Sequence, residues 1–320
     1  MDMIKNKPFL TDEKVDDFTA EDFVFVHRNE ELLDEAYTAT SYAKDVWMHF
    51  KKNKGAVLGA IIIIAIILLA IIGPMISGYK ADAINLDVQS LPPRIQGIYK
   101  LGIFSGYEKG VDQYAAHGVS QAFYWFGTDT NGRDLFTRVW EGTRVSLIIA
   151  LSAVVIDIVI GMSYGLISGY FGGKVDMVMQ RFMEILNGIP TLVVVTLLGL
   201  VLPPGITSIV FALMITGWIG MARISRAEVL KLKESEFILA SRTLGAKNFS
   251  IIFKEVMPNI FGQLIVMSMF SIPNAIFTEA FLSFVGLGIQ APDASLGSLI
   301  SDGYKSLTGH PHIIMSAIIV

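Results

Sequence analysis

Ala56-Val57-Leu58-Gly59-Ala60-Ile61-Ile62-Ile63-Ile64-Ala65-Ile66-Ile67-Leu68-Leu69-Ala70-Ile71-Ile72 is an unbroken apolar run that ends at Gly73-Pro74. With its flanking residues it reaches the ~20 residues that a helix needs to cross a hydrocarbon core of about 30 Å. Lys51, Lys52 and Lys54 precede it, so the positive-inside rule puts its N-terminal end in the cytoplasm and predicts a first span over 55–76.

Four further apolar stretches follow: Val145 to Ser168, Val175 to Val201, Ile206 to Met221 and Phe261 to Val285. The Gly-rich turn Gly169 to Lys174 falls inside, and the turn Leu202-Pro203-Pro204-Gly205 falls outside. The segment Arg223 to Lys254 carries Arg223, Arg226, Lys231, Lys233, Arg242, Lys247 and Lys254, and its sign agrees with the orientation of the first span. That alternation leaves 77–144 and 286–310 outside. His312 to Val320 is apolar but too short to span, so the sequence is expected to stop inside a sixth helix. The predicted fold is an all-α polytopic membrane protein of about six helices, the last cut short. Short alternating segments of the β-barrel kind are absent from the sequence.

Ahead of the first span, residues 1–41 are polar and acidic with isolated aromatics, which suits a cytoplasmic tail. They contain no apolar core of a secretory signal. In 42–54, Val46, Trp47 and Phe50 recur at helical spacing and lysines follow. This fits an amphipathic helix in the headgroup layer, or else the start of the next helix.

Composition points the same way. The 320 residues are 52% hydrophobic and 17% charged, whereas a soluble domain carries about a quarter charged residues. A net charge of −4 argues against a nucleic-acid partner. The absence of cysteine excludes disulfides, thiolate metal sites and a cysteine nucleophile. Gly169-Tyr170-Phe171-Gly172-Gly173-Lys174-Val175 has the wrong glycine spacing for a phosphate loop and no Ser or Thr after the lysine. Neither HExxH nor GxSxG occurs, and the five histidines are scattered. No catalytic or metal-ligating residues are therefore expected, and the chain is read as a non-enzymatic membrane subunit.

Acids inside apolar stretches are functional candidates by default. Asp157 lies midway along the second stretch, Glu184 near the inner end of the third with Arg181 close by, and Glu279 toward the outer end of the fifth. Proton coupling in a secondary transporter would use such groups. Pairing with neighbours or exposure to a watery path would also account for them.

Lys233-Glu234-Ser235-Glu236-Phe237-Ile238-Leu239-Ala240-Ser241-Arg242-Thr243-Leu244-Gly245-Ala246 is the most informative polar segment. Phe237, Ala240, Ser241 and Leu244 fall at i, i+3, i+4 and i+7 and predict one narrow helix face with small residues at its centre. Gly245 stands where a C-terminal cap wants a left-handed residue. Asn248 is placed to cap a second helix, and Pro258 to interrupt it near the membrane. The expected product is a two-helix cytoplasmic hairpin, within a loop over 223–260, that lets another protein approach closely.

These residues resemble the "EAA" loop of binding-protein-dependent ABC importer permeases, specifically the oligopeptide/dipeptide and nickel permease family and its C-type subunit. The matching positions are Leu239, Ala240, Ser241, Gly245, Glu255, Met257 and Pro258; Leu239 replaces the acid, Ser241 an alanine and Glu255 an isoleucine. Phe126-Gly127-Thr128-Asp129-Thr130-Asn131-Gly132-Arg133-Asp134, continued by Thr143-Arg144-Val145-Ser146-Leu147, resembles the family's GTDxxGRD segment. Glu279-Ala280-Phe281-Leu282-Ser283-Phe284-Val285-Gly286-Leu287-Gly288 is similar to its EAxLSFLGLG segment, and Gly169-Tyr170-Phe171-Gly172-Gly173 with Asp176 also fits. The resemblance covers 42–320.

The resemblance implies half of a translocation pore of the ABC importer permease type in a bacterial cell membrane, with a permease core over 145–320. The implied partners are a second homologous permease subunit, two separate ATPases that bind ATP and Mg, an extracytoplasmic solute-binding protein and a peptide. Glu236, Phe237, Ala240, Ser241, Leu244, Gly245, Met257 and Pro258 would then form the ATPase-coupling loop. A permease for nickel or another small solute, and an ion-coupled transporter using Asp157 and Glu279, are the alternatives. Tyr99, Tyr107, Tyr114, Tyr124 and Trp125 in the outer segment could meet a peptide, line an aromatic belt or simply pack, with belt or packing favoured for Tyr124 and Trp125.

Overall fold

A computed structural model describes residues 42–203 and 205–320. The tail expected over 1–41 lies outside the described residues. The chain divides into two units at Ile61–Ile62. In the first, α1 (Tyr42–Lys52) is followed by the opening turns of α2 (Lys54–Ser77). Trp47 stacks on Phe50 at 5.6 Å, the Lys51 ammonium sits 5.0 Å above the Trp47 ring, and Val46 and Trp47 are exposed. An exposed apolar stripe beside lysines is what the headgroup layer accommodates.

In the second unit α2 continues with nearly all of its apolar surface exposed; only Ala70 and Gly73 are buried. Gly73 meets the Trp140 ring so closely that a Cβ would lie 2.7 Å from it. The segment that follows α2 is compact. Val88, Leu91, Tyr114 and Tyr124 form its core. The strands β1 (Tyr107–Glu108) and β2 (Val111–Asp112) form a two-stranded antiparallel ribbon leading into the short α3 (Gln113–Ala116). The Arg94 guanidinium is clamped by aromatic rings, 4.8 Å from both Tyr99 and Tyr114 and 5.4 Å from Phe123. Tyr114 donates to the Pro92 carbonyl at 2.9 Å. Burial pushes its phenol above the usual range, and pushes that of Tyr124 up to about 12. Of the aromatics in this segment, Tyr114 and Tyr124 are thus packing residues, whereas Tyr107 is exposed.

The membrane part is built from α4 (Leu135–Phe171), the bent pair α5 (Gly173–Asn187) and α6 (Thr191–Gly199), α7 (Ile206–Leu232) and α9 (Asn248–Phe284). Among the described residues four helices are long and apolar enough to cross a membrane, or five if the bent pair counts as one span. The short α8 (Glu236–Thr243) joins α7 to α9, and α10 (Leu296–Lys305) and α11 (His312–Ile319) follow α9.

Several boundaries differ from those expected. The second span starts at Leu135, not near 145, because the Asp134 carboxylate caps the helix by accepting from the Thr137 amide. The third stretch is not one straight helix: it bends by 71° at Gly188-Ile189-Pro190. Pro190 has no amide hydrogen and disfavours helical geometry at the residue before it. The loop expected over 223–260 is mostly helix, since α7 runs on to Leu232 and α9 begins at Asn248. Pro258 does not interrupt α9. The helix passes through it after a widened turn over Ile252–Val256, and the Asn259 side chain donates to the Glu255 carbonyl at 2.6 Å. The outer segment 286–310 contains α10 rather than loop alone.

The α4–α7 contact fixes the frame. Gly161, Gly165 and Gly169 recur every fourth residue on α4. A Cβ on any of them would fall within 2.9 Å of α7 atoms, the nearest being the carbonyl oxygens of Trp218, Ala222 and Arg226. Small residues at this spacing let two membrane helices approach backbone to backbone. Ser225 adds a hydrogen bond of 3.0 Å to the Met162 carbonyl.

Candidate functional site

The loop between α7 and α9 forms a short capped projection. Gly245 has φ +82°, the left-handed region that suits glycine. Its amide donates to the Arg242 carbonyl at 3.0 Å, and the Ala246 amide donates to the Ser241 carbonyl at 3.1 Å. This pair of bonds closes the helix in a Schellman motif. Ile238 is fully buried and turns one face of α8 inward against Ile251 and Ile252. The opposite side carries Phe237, Ala240 and Leu244, all exposed, with Ser241 half-buried at its edge. Phe237 is 44% exposed and Leu244 87% exposed, so two large apolar side chains stand in the open on a short helix with small residues between them. Leu239 and Phe249 are also exposed apolar side chains. Glu236 opens α8 in its first turn, where a negative charge complements the helix dipole. Met257 packs against the buried cluster at the base, and Pro258 is exposed.

Asn248 does not cap the second helix. Its side-chain oxygen instead accepts from the Tyr170 hydroxyl at 3.2 Å. Tyr170, near the end of α4, is 5% exposed. The Arg242 guanidinium lies 4.9 Å from its ring centre, and Arg242 Nε donates to its hydroxyl at 3.3 Å. One buried tyrosine therefore holds both arms of the projection to a membrane helix. Next to it, Asp176 on α5 accepts from Arg226 Nε and Nη2 on α7, both at 2.6 Å, and from Ser168 on α4, also at 2.6 Å. A bidentate pair of this kind fixes orientation as well as distance.

The acids in the membrane stretches are dispersed. Glu184 is exposed and pairs with Arg181 at 2.6 Å. Glu279 is fully buried and accepts from Ser283 at 2.7 Å and from Ser146 at 3.2 Å, which ties α9 to α4. Asp157 sits at the start of a π turn, Asp157–Met162, and accepts from the Ser271 hydroxyl of α9.

The 126–134 motif is a clasp. Gly127 and Gly132 have φ +82° and +72°, and a Cβ on either would run into the backbone carbonyl of Leu91 or Asn85. The Thr128 hydroxyl donates to the Val88 carbonyl and accepts from the Leu91 amide. Asp129 accepts from Arg133 Nε at 2.7 Å, and Arg138 Nε approaches the same carboxylate at 3.4 Å without hydrogen-bond alignment. Asp134 accepts from Ser77 at 2.7 Å, joining the end of α2 to the start of α4. These residues bind one stretch of backbone to another, and among the described residues no group of three or more His, Asp or Glu could hold a metal ion.

Tyr170, Arg242 and Ile238 carry the projection without belonging to the expected face. The Gly161-Gly165-Gly169 repeat was readable from spacing alone. The Tyr170–Asn248 bond joins residues 78 apart and leaves no local pattern.

Residues 161–320 match the family of binding-protein-dependent transport system inner membrane components, and residues 41–93 match the N-terminal transmembrane domain of oligopeptide transport permease C. A dipeptide transport system permease protein of Bacillus subtilis (strain 168) is 43% identical over 284 residues, 88% of this chain and 80% of that one. An oligopeptide transport system permease protein of the same strain is 44% identical over 268 residues, 84% of this chain and 79% of that one. A chain of the methionine ABC transporter MetNI in an inward-facing conformation has 18% identity and a TM-score of 0.48, covering 57% of this chain and 87% of its own.

Proposed function

The chain belongs to the binding-protein-dependent transport system inner membrane component family, in its oligopeptide/dipeptide C-type branch, and on that premise we propose that it is one permease subunit of an ATP-driven peptide importer. The observation that carries this is the projection at α8. A capped helix with exposed Phe237 and Leu244, pinned from behind by Tyr170, is a surface built for another protein. Hydrolysis of ATP with Mg is assigned in this reading to separate chains, in keeping with residues 1–320 holding no phosphate loop. Closure of two such ATPases around ATP would push α8, and Tyr170 would pass the displacement to α4. A second, homologous permease would supply the other half of the pore, and an extracytoplasmic binding protein would load peptide from the side of segment 78–134. In this orientation α8 and the N-terminal end of α2 face the cytoplasm of a bacterium.

The test is purification of the tagged chain from its native membrane in mild detergent, with co-purifying proteins identified by mass. Two phosphate-loop ATPases and a second polytopic subunit in comparable amounts are expected. Recovery of the chain alone or as a homodimer, even after cross-linking, would overturn the reading.

A further inference from the structure

Three membrane helices lose their regularity at one level. α4 widens into a π turn at Asp157–Met162, α7 loosens at Gly217–Trp218 between its two regular halves, and α9 loosens at Phe270. Between these breaks lies a cavity of about 30 Å³ whose lining includes Asp157, Gly217, Ser271 and Asn274, with Leu213 and Ala275 as apolar wall. That is room for one water-sized group and too little for a side chain.

The chemistry of the cavity has one sign. Asp157 is 5% exposed; Ser271 donates to its Oδ2, and its Oδ1 takes no hydrogen bond from the described residues. No basic side chain lines the space. Asp157 stands roughly 17 Å along the helix from either end of the apolar stretch 145–168, at 1.5 Å per residue. A carboxylate at that depth is costly and is kept where it faces a watery path or a partner. The other two acids are accounted for, Glu279 by two serines and Glu184 by Arg181. The mouth of the cavity carries Gly217 and the carboxamide of Asn274, both exposed, flanked by Phe270 and Phe277 at 68% and 71% exposure. A carboxamide on an exposed helix face suits a pore better than lipid.

We infer that this mid-membrane pocket is the point at which the translocation path receives the α-ammonium group of the passing peptide, with Asp157 as counter-charge and Asn274 at its rim. The inference rests on the importer reading above. An ammonium group has the size of a water, three donors for the free carboxylate oxygen and its neighbours, and the sign that the site lacks. A single contact of this kind is weak, as a site on a conduction path must be if cargo is to leave it.

The sequence has no cysteine, so Asn274→Cys puts a lone thiol at the rim, and Ser271→Cys gives a second reporter should the first fail to assemble. In the purified complex, the cationic reagent 2-aminoethyl methanethiosulfonate and the anionic 2-sulfonatoethyl methanethiosulfonate are compared, each normalised to its rate with a free thiol and read on this chain after separation. The cation should react at least roughly tenfold faster, the preference expected of a charge about 6 Å away even at the dielectric of bulk water. Peptide-loaded binding protein should slow the reaction. Asp157→Asn should bring the two rates together. Equal rates with Asp157 present, no reaction at either reporter, no protection by peptide, or a preference that survives Asp157→Asn would each overturn the site. Co-purifying subunits are scored on the same samples. Their absence would sink the importer reading, whereas a missing cation preference in an intact complex sinks the pocket alone.

Discussion

Arg144 takes over the hydrogen bond that Pro74 denies to its own helix. Pro74 lies inside α2 and has no amide hydrogen, so the carbonyl of Ala70, four residues earlier, loses its helical donor. Arg144 on α4 donates to that carbonyl from Nε at 3.2 Å and from Nη2 at 3.1 Å. In a membrane an unpaired carbonyl has no water to turn to. The arginine therefore ties the outer part of α2 to α4 and satisfies a backbone group together.

From this follows a paired prediction. Arg144→Met should destabilise the protein in detergent by about 1–3 kcal/mol, the cost of a buried acceptor left unsatisfied. Pro74→Ala restores the helical amide, so in that background Arg144→Met should cost markedly less. A double-mutant cycle on thermal unfolding in detergent reads the difference. Strictly additive effects would show that the arginine acts elsewhere.

The apolar stretches were legible because each is long and unmixed, and Gly245 because a helix stop of that kind has one common solution. The break at Gly188-Ile189-Pro190 is written in the residues, but hydropathy over 175–201 reads straight through it. The π turn at Asp157 has no sequence mark. Its partner Ser271 is 114 residues away, and only packing brings the two together. The GTDxxGRD segment was legible as a pattern but not as a clasp, since its partners Val88, Leu91, Asn85 and Ser77 lie in the stretch before it, at no fixed spacing.

The glycine stripe of α4 offers a sharp contrast. A Cβ on Gly165 would sit 2.3 Å from the Ala222 carbonyl oxygen, whereas one on Gly220 would meet nothing within 4 Å. Gly165→Ala should therefore separate α4 from α7 and cost about 1–3 kcal/mol, as overpacking does. Gly220→Ala, at an open helical position, should stay within about 0.5 kcal/mol of the parent. Folded yield and melting temperature in detergent measure both, and equal behaviour of the two variants would contradict the close packing.

In the proposed coupling Tyr170 transmits motion between α8 and α4, so its variants should separate assembly from coupling. Tyr170→Phe keeps the ring under Arg242 and loses the hydroxyl's bonds to Asn248 and Arg242 Nε, worth about 1 kcal/mol each. The complex should assemble, hydrolyse ATP and move several-fold less peptide per ATP. Tyr170→Ala also removes the ring, and should make the projection around Gly245 sensitive to protease. The measurement is peptide delivered per ATP hydrolysed in proteoliposomes. An unchanged ratio in Tyr170→Phe, with hydrolysis intact, would show that the hydroxyl carries no coupling.

The exposed face of α8 should be separable from its fold. Ile238 faces inward and is fully buried, while Phe237 and Leu244 are exposed, so replacing the outer two removes little that α8 itself needs. Phe237→Ser with Leu244→Ser should leave the melting temperature of the isolated chain close to that of the parent, because exposed positions change stability by about 0.5 kcal/mol or less. ATPase recovery in the pull-down should fall at least tenfold, since apolar anchors at the centre of an interface carry ~2 kcal/mol or more each. Ile238→Ser should do the reverse: it damages folding first, and ATPase recovery falls only in proportion to folded protein. Gly245→Val tests the cap between them. Its φ of +82° strains a β-branched residue although nothing lies within 4 Å of the new Cβ, so the loss should appear in docking with insertion preserved. Normal ATPase recovery in the double-serine variant would move the docking surface off Phe237 and Leu244 and leave Leu239 and Phe249 as the anchors to examine.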